Sequence, residues 1–532
     1  MGRLCGMSPT SLEPVDPEPR RHRPWVLPLR MLLAGLLITV LTGGAVATAG
    51  LLQLKDLENE LQDLGTTAEF GPDTIAPPPP GKPQTILLVG SDHRYADGKA
   101  DARSDTIMLL RINPKASAIT LLSIPRDLAV EIPGRGRAKI NEAYSLGGLD
   151  LTARTVKDLL STDSDRFHIN HAVATTFGGF VEAVDEIGCV YIDVDRRYYH
   201  SNEGLPVSAH YSEIDVRAGY QKLCGTRALE FVRFRHLDND IVRAARQQGF
   251  LRAAKDQLRA AGVLDHLRPL ARIFARATET DGDLQTAKGI LRLAKILVGS
   301  SGKPVRQIRF PATFELDGAV TQVGQQIVTT GLGSYVSATP DQIRSVVQQF
   351  MHPGPAKKIK AKPETKRDRR TRTSSRSSLK DALATGRDLV AASPSRRATK
   401  MRVYVPAKIT QRGNYPASTD IAPNPRRYVI KDEDGKSHAA YRLTFVEDET
   451  KGQYYGVQGT EWRDPPILAA AHQTRRIGDR TFLLYTDGGK LRMVAWQTPK
   501  AVYWVSNTLS LDLSNREMLD IASSLTRARP SR

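Results

Sequence analysis

The stretch from Met31 to Leu54 carries no charged side chain, and it constrains the chain more than any other feature. As a helix it is long enough to cross a hydrocarbon core of about 30 Å. Arg20, Arg21, Arg23 and Arg30 precede it, so its N-terminal end is expected to stay cytoplasmic. Ala47-Thr48-Ala49 has the look of a signal-peptide cleavage site, but the apolar run is longer than a usual signal core. The expectation is an uncleaved single-pass anchor in the cell membrane, residues 25–54, after a disordered cytoplasmic tail, residues 1–24. Everything beyond Leu54 is then extracytoplasmic.

Residues 55–83 read as a stem and spacer: Leu54, Leu57, Leu61 and Leu64 fall on one helical stripe, and Pro77 to Pro80 are stiff and extended. Residues 84–350 alternate between strand and helix patterns. Thr85 to Val89, Thr106 to Ile112, Ala118 to Ile124, Ile169 to Val173 and Val190 to Val194 read as strands. Leu149 to Leu160, Phe177 to Ile187, Thr226 to Phe234 and Ile241 to Ala261 read as helices. This pattern predicts an α/β fold, a three-layer α-β-α sandwich around a central mixed sheet.

Residues 351–400 have the composition of a basic flexible linker. No aromatic residue between Pro355 and Lys400 is available to stack a base, which argues against nucleic acid. Residues 401–532 read as a small α+β domain with short strands and a hairpin turn at Thr486-Asp487-Gly488-Gly489. Its closing helix starts with a capping box, Ser514 and Glu517. On this reading the domain is a tethered module, and its removal leaves the chemistry intact while weakening association with the cell wall.

The net charge of +19 over 532 residues favours anionic partners. Of the three cysteines, Cys189 and Cys224 follow the anchor. They form a disulfide if that side is oxidising, or they are two unrelated small buried residues. No Ser-His-Asp or Cys-His arrangement is readable, and His93, His168, His171 and His236 lack the spacing of a metal site.

The chemistry lies in scattered aspartates and arginines. Asp92 follows the first strand and Asp105 opens the second. If the two strands run antiparallel side by side, the carboxylates meet at one edge. Two carboxylates plus phosphate oxygens suit Mg2+, although turn or cap duty is the commoner role for a lone Asp. Arg126 ends the third strand, with Asp127 and Asp105 as alternative ion-pair partners. Arg243, Arg246 and Gln247 share one helical face near a helix start. Arg233 and Arg235 point apart unless the helix breaks there. Guanidinium groups grip phosphate oxygens in pairs.

Five segments in order carry a resemblance. Gly90-Ser91-Asp92-His93-Arg94, Arg103-Ser104-Asp105-Thr106, Leu122-Ser123-Ile124-Pro125-Arg126-Asp127, Lys139-Ile140-Asn141-Glu142-Ala143-Tyr144 and Arg243-Ala244-Ala245-Arg246-Gln247-Gln248 resemble the LytR–CpsA–Psr family over about Gln84 to Phe350. The resemblance implies a phosphotransferase outside the membrane. It would move a glycopolymer phosphate from a polyprenyl-pyrophosphate carrier to peptidoglycan, with an apolar groove for the lipid. Asp92 and Asp105 would hold Mg2+ or Mn2+. Arg103, Arg126, Arg233, Arg235, Arg243, Arg246 and Gln247 would contact the pyrophosphate, Arg126 and Arg243 as catalytic groups. Asp238 or Asp240 would orient the accepting hydroxyl. Many relatives have glycine before the helix arginine, where this chain has Val242. Two rival readings are a lipid-pyrophosphate hydrolase and a non-catalytic wall-binding or regulatory protein.

Overall fold

Short runs that are apolar at nearly every position make strands buried on both faces. Gln84–Ser91 (β2) and Ile119–Ile124 (β4) have this pattern, and with Ser104–Ile112 (β3) between them they form the middle of a sheet. A computed structural model describes residues 66–79, 81–91, 104–162, 165–204, 212–234, 240–261, 269–270, 272–274, 276–300, 302–317, 320–323, 326–329, 333–354, 379–393, 401–416, 424–469 and 471–528. Thr66–Thr67 (β1), His171–Thr175 (β5), Thr278–Thr280 (β6) and Val305–Ile308 (β7) complete the sheet, in the order β1-β6-β5-β2-β3-β4-β7. Strands β2 and β4 both run antiparallel to β3, and β5 runs parallel to β2.

The strand alternation gives the sheet two apolar faces. On one, Leu87, Val89, Leu109 and Leu122 pack against Glu142–Leu160 (α1) and Pro340–Met351 (α6). On the other, Ile86, Met108 and Leu121 meet Leu251 of Asp240–Ala261 (α4) and Ile296 of Ala287–Ser300 (α5). Phe177–Glu186 (α2) and Gly225–Arg233 (α3) enclose a further cluster with Phe250 of α4. The three-layer α/β expectation holds. The regular part of α1 begins where the sequence places it, because Gly148 adopts φ +63° at a kink, a conformation that suits glycine.

Two boundaries move. The folded domain already includes Thr66, ahead of Gln84. Strand β1 pairs with β6, Ala76 N donates to Ile169 O, and Phe70 and Ile75 pack on the core. A two-residue strand carries no periodicity, so the sequence gives no sign of it. The linker also shrinks. Leu379–Asp381 pairs with Lys408–Thr410, and Leu383–Ala392 (α7) follows, so these residues belong to the second domain.

That domain is a seven-stranded antiparallel sheet. Its strands are Arg426–Lys431 (β8), Ser437–Asp448 (β9), Gln453–Thr460 (β10), Gln473–Ile477 (β11), Arg480–Asp487 (β12), Lys490–Gln497 (β13) and Val502–Ser506 (β14), in the order β8-β9-β10-β14-β13-β12-β11. One face, with Tyr441, Leu443, Phe445, Val457 and Val505, packs on Asn515–Ser524 (α8) through Met518 and Ile521. The predicted capping box of Ser514 and Glu517 starts α8.

The other face is not solvated. It docks on the first domain, around the antiparallel pair Val190–Val194 and Gly219–Leu223. Asp193 accepts from Arg442 Nη1 at 2.9 Å and from Trp504 Nε1 at 2.9 Å. Tyr220 N donates to Gln458 Oε1, and Tyr428 OH donates to Tyr220 O. Tyr220 and Trp504 are fully buried between the domains. The tethered module expected from the sequence is therefore a docked one. Period-2 alternation reveals two faces but not what covers the second.

At the end of the same strand pair the sulfurs of Cys189 and Cys224 stand at bonding distance, 2.05 Å. Among the described residues no helix is long and apolar enough to cross a membrane. The anchor expected at Met31 to Leu54 lies outside them.

Candidate active site

Strand β2 ends beside the start of β3, with Gly90 opposite Thr106 and Ser91 opposite Ser104. A Cβ on Gly90 would stand 3.2 Å from Thr106 Cβ, so the close approach favours glycine. This register puts Asp105 on a strand, in neither a turn nor a cap. Strand β4 delivers Arg126 to the same edge, and Arg126 Nη1 donates to Asp105 Oδ1 at 2.5 Å. Arg126 Nε lies 3.5 Å from Asp127 Oδ2. Both ion-pair partners anticipated for Arg126 are thus real.

The remaining motifs hold this edge in place. Asn141 N donates to Arg126 O at 3.1 Å, and Lys139 Nζ approaches Asp127 to 3.9 Å. Gln247 Nε2 donates to Thr106 Oγ1 at 3.0 Å, and Gln248 Nε2 to Ser123 Oγ at 2.8 Å. The adjacent glutamines thus tie α4 to β3 and β4. Motifs far apart in sequence converge because each supplies one bond of a shared network.

Helix α3 ends at Arg233, and Phe234 turns extended with ψ 137°. The break aims Arg233, whose guanidinium stacks 4.5 Å from the Phe177 ring centroid and donates to Ser212 Oγ at 3.0 Å. The next helix, α4, begins at Asp240 and carries Arg243 in its first turn. Arg243 and Gln247 reach the cleft together with Asp105, Thr106 and Arg233. The cleft has a volume of about 170 Å3, and its walls are otherwise largely apolar, with Leu88, Met108, Val173, Phe180, Phe250 and Leu251 among them. Cationic and polar side chains thus share one cleft with apolar walls, the usual make-up of a site for an amphipathic ligand.

Arg246 does not join this group. It is fully buried, donates to Phe234 O, and lies 4.7 Å from the Tyr198 ring centroid. Its charge holds the end of α3 instead of facing the cleft, which corrects the expectation of a pyrophosphate contact. Asp92, Arg103, Arg235 and Asp238 lie outside the described residues, as does the side chain of Asp240. Val242 packs inward, 1% exposed. Sequence reasoning missed Phe177, Ser212 and Thr106. Thr106 was within reach as a neighbour of Asp105, but nothing in the chain marks Phe177 or Ser212 as partners of Arg233.

Asp105 is the described carboxylate of the expected metal pair. Its Oδ1 accepts from Arg126, and Mg2+ commonly takes one or two carboxylates plus substrate phosphates. The donor set is compatible with such an ion. Among the described residues, two other clusters have metal-type ligands. In one, the sulfurs of Cys189 and Cys224 stand at bonding distance from each other; in the other, Asp283, beside His171 and Asp281, pairs with Arg292.

A family model described as the LytR_cpsA_psr family matches residues 59–334. The chain is 31% identical over 243 residues to the polyisoprenyl-teichoic acid–peptidoglycan teichoic acid transferase TagT of Bacillus subtilis, covering 45% of this chain and 71% of that protein. It is 34% identical over 175 residues to the transferase of the same description, TagU, from Bacillus mycoides, covering 32% and 51%. A solved structure of the LytR-CPS2A-psr family protein YwtF (TagT) with bound octaprenyl pyrophosphate lipid is 23% identical, with a TM-score of 0.36, over 54% of this chain and 97% of that one.

Proposed function

Because the chain belongs to the LytR–CpsA–Psr family, we propose that it transfers a phosphate-linked glycopolymer from a polyprenyl-pyrophosphate carrier to peptidoglycan. The observation that carries this reading is the cleft itself, where Arg233, Arg243 and Gln247 share a largely apolar lining, with Arg126 bound to its Asp105. The cleft accepts the first isoprene units. The guanidinium groups neutralise the pyrophosphate, on the transferred phosphoryl as well as on the leaving side. Gln247, held by Thr106 and by Val232 O, presents a neutral amide beside them.

Asp105, with Asp92, would hold Mg2+ or Mn2+, which would supply further charge neutralisation at the phosphate oxygens. Asp238 or Asp240 would orient the accepting sugar hydroxyl, and Arg103 and Arg235 would complete the anion site. The anchor at residues 25–54 would keep the enzyme on the membrane surface that carries its donor, with the N-terminus cytoplasmic. The bridge of Cys189 and Cys224 suits an oxidising exterior, and an intact mass two hydrogens lighter than the reduced chain is its test.

The test of function is to incubate the protein with lipid-pyrophosphate glycan and peptidoglycan, with and without chelator. Ligated glycan that disappears with EDTA and returns with Mg2+ or Mn2+ is expected. Released phosphate-terminated glycan without ligation would establish a hydrolase instead. Undiminished transfer by folded Asp105→Ala would remove the metal assignment.

A further inference from the structure

Helix α4 has a second outward face. Arg243, Gln247 and Leu251 turn to the cleft, whereas Arg246, Gly249, Arg252, Ala253 and Asp256 line a cavity between the two domains. Its opposite wall comes from the second domain, including Arg492, Met493 and Asn507. The volume is about 140 Å3, many times the roughly 10–15 Å3 that one ordered water needs on this scale.

The charges around this cavity do not cancel. Asp193 is committed to Arg442 and Trp504. Asp487 binds Arg252 Nη1 at 3.0 Å and accepts from Gln307 N. Asp256 has Lys255 Nζ at 3.3 Å. Arg492 remains, its guanidinium making no hydrogen bond or ion pair with any described residue, and its Nε is buried without a partner. The Tyr485 ring lies against it, 5.3 Å from Cζ to the centroid. Burial pushes its pKa down to about 10, the like charge of Arg252 adds to the effect, and the more distant carboxylates of Asp256 and Asp487 only partly oppose it. A set-in guanidinium without a direct ion pair is costly, and an unsatisfied buried donor calls for an ion or water.

We propose that this interdomain cavity is a second anion site, which takes one phosphate group on Arg492, away from the cleft where transfer occurs. Guanidinium is suited to this because its fork matches two phosphate oxygens. The ligand is either free phosphate or the phosphodiester of a wall polymer, since both present the same two oxygens. Because α4 forms one wall of both cavities, an anion bound here stands against the helix that carries Arg243 and Gln247.

The experiment uses the full-length chain carrying Arg243→Gln, which weakens anion binding in the cleft, and titrates inorganic phosphate and dimethyl phosphate by calorimetry. Phosphate binding in this background is expected, and adding Arg492→Gln should weaken it about ten- to hundredfold, as loss of a charge-assisted bond does. Asp256→Asn removes an opposing carboxylate and should tighten it, so the proposal is tested even if the arginine variant folds poorly. Binding of the diester as well as the free ion identifies the polymer as the source, and binding of the free ion alone identifies phosphate. Equal phosphate binding with and without Arg492→Gln, no binding in the Arg243→Gln background, or no tightening by Asp256→Asn would overturn the site and leave a water-filled cavity.

Discussion

The two sides of helix α4 put the same residue type to opposite use. On the cleft side Arg243 lines a largely apolar cleft. Three residues on, Arg246 is sealed among Tyr198, Phe231 and Phe234 and holds a backbone carbonyl. At 3.6 residues per turn, Arg246 lies about 60° to one side of Arg243 and Gln247 about 40° to the other. A narrow cleft admits one flank of that stripe and excludes the other. Helical spacing is therefore enough to group residues on a broad face, but not to say which of them reaches a ligand.

The contrast extends to energetics. Changes on the docking side should act on stability, and changes on the cleft side on catalysis. The largest effect is expected at Arg442, 1% exposed and paired with Asp193. Arg442→Ala strands a buried carboxylate and should cost about 3–5 kcal/mol in chemical denaturation followed by tryptophan fluorescence. A loss under about 1 kcal/mol, on the scale of a surface pair, would mean that the domains are not docked as described. Next, Arg243→Gln should lower transfer about 100- to 1,000-fold with little change in the unfolding midpoint. A matching fall in stability would erase the contrast.

A smaller loss is expected at Asp487, whose carboxylate holds Arg252 and caps Gln307 N. Asp487→Asn should cost about 1.5–3 kcal/mol of stability, visible as an earlier denaturation midpoint. Unchanged stability would show that Arg252 finds another partner. The smallest effect falls on Phe177, which stacks on Arg233. Phe177→Leu keeps the apolar wall but loses a cation–π contact of about 0.5–1 kcal/mol. KM for the lipid donor should rise about two- to fivefold by the same figure, with kcat unchanged. A fall in kcat alone would assign the ring a role in the transition state.

The second domain teaches a related lesson. Short β-runs at 440–445, 481–485 and 491–496 are legible in the sequence, and all lie within the observed β9, β12 and β13. Strands β8 and β11 are not. Their patterns are polar and half-exposed, as edge strands usually are. The basic, polar stretch before the domain suggested a loose tether, yet Arg442 and Thr444 on the outer face of β9 meet Asp193 and the Asp195 carbonyl. A charged residue in the middle of a strand reads as solvated when its partner is 249 residues away.

The amino-acid sequence by itself determined the layer order of the first domain, because strand and helix periods are local properties of the chain. It also marked Asp105, Arg126, Arg243 and Gln247, since the ordered segments that carry them resemble the family. The tertiary structure decided which of those side chains meet. It joined Arg126 to Asp105 and Gln247 to Thr106, and it withdrew Arg246 into an aromatic box. It alone placed Arg492 beside α4. Such pairings depend on strand register, on where α3 breaks, and on how two sheets dock, and these are set by packing across the whole molecule.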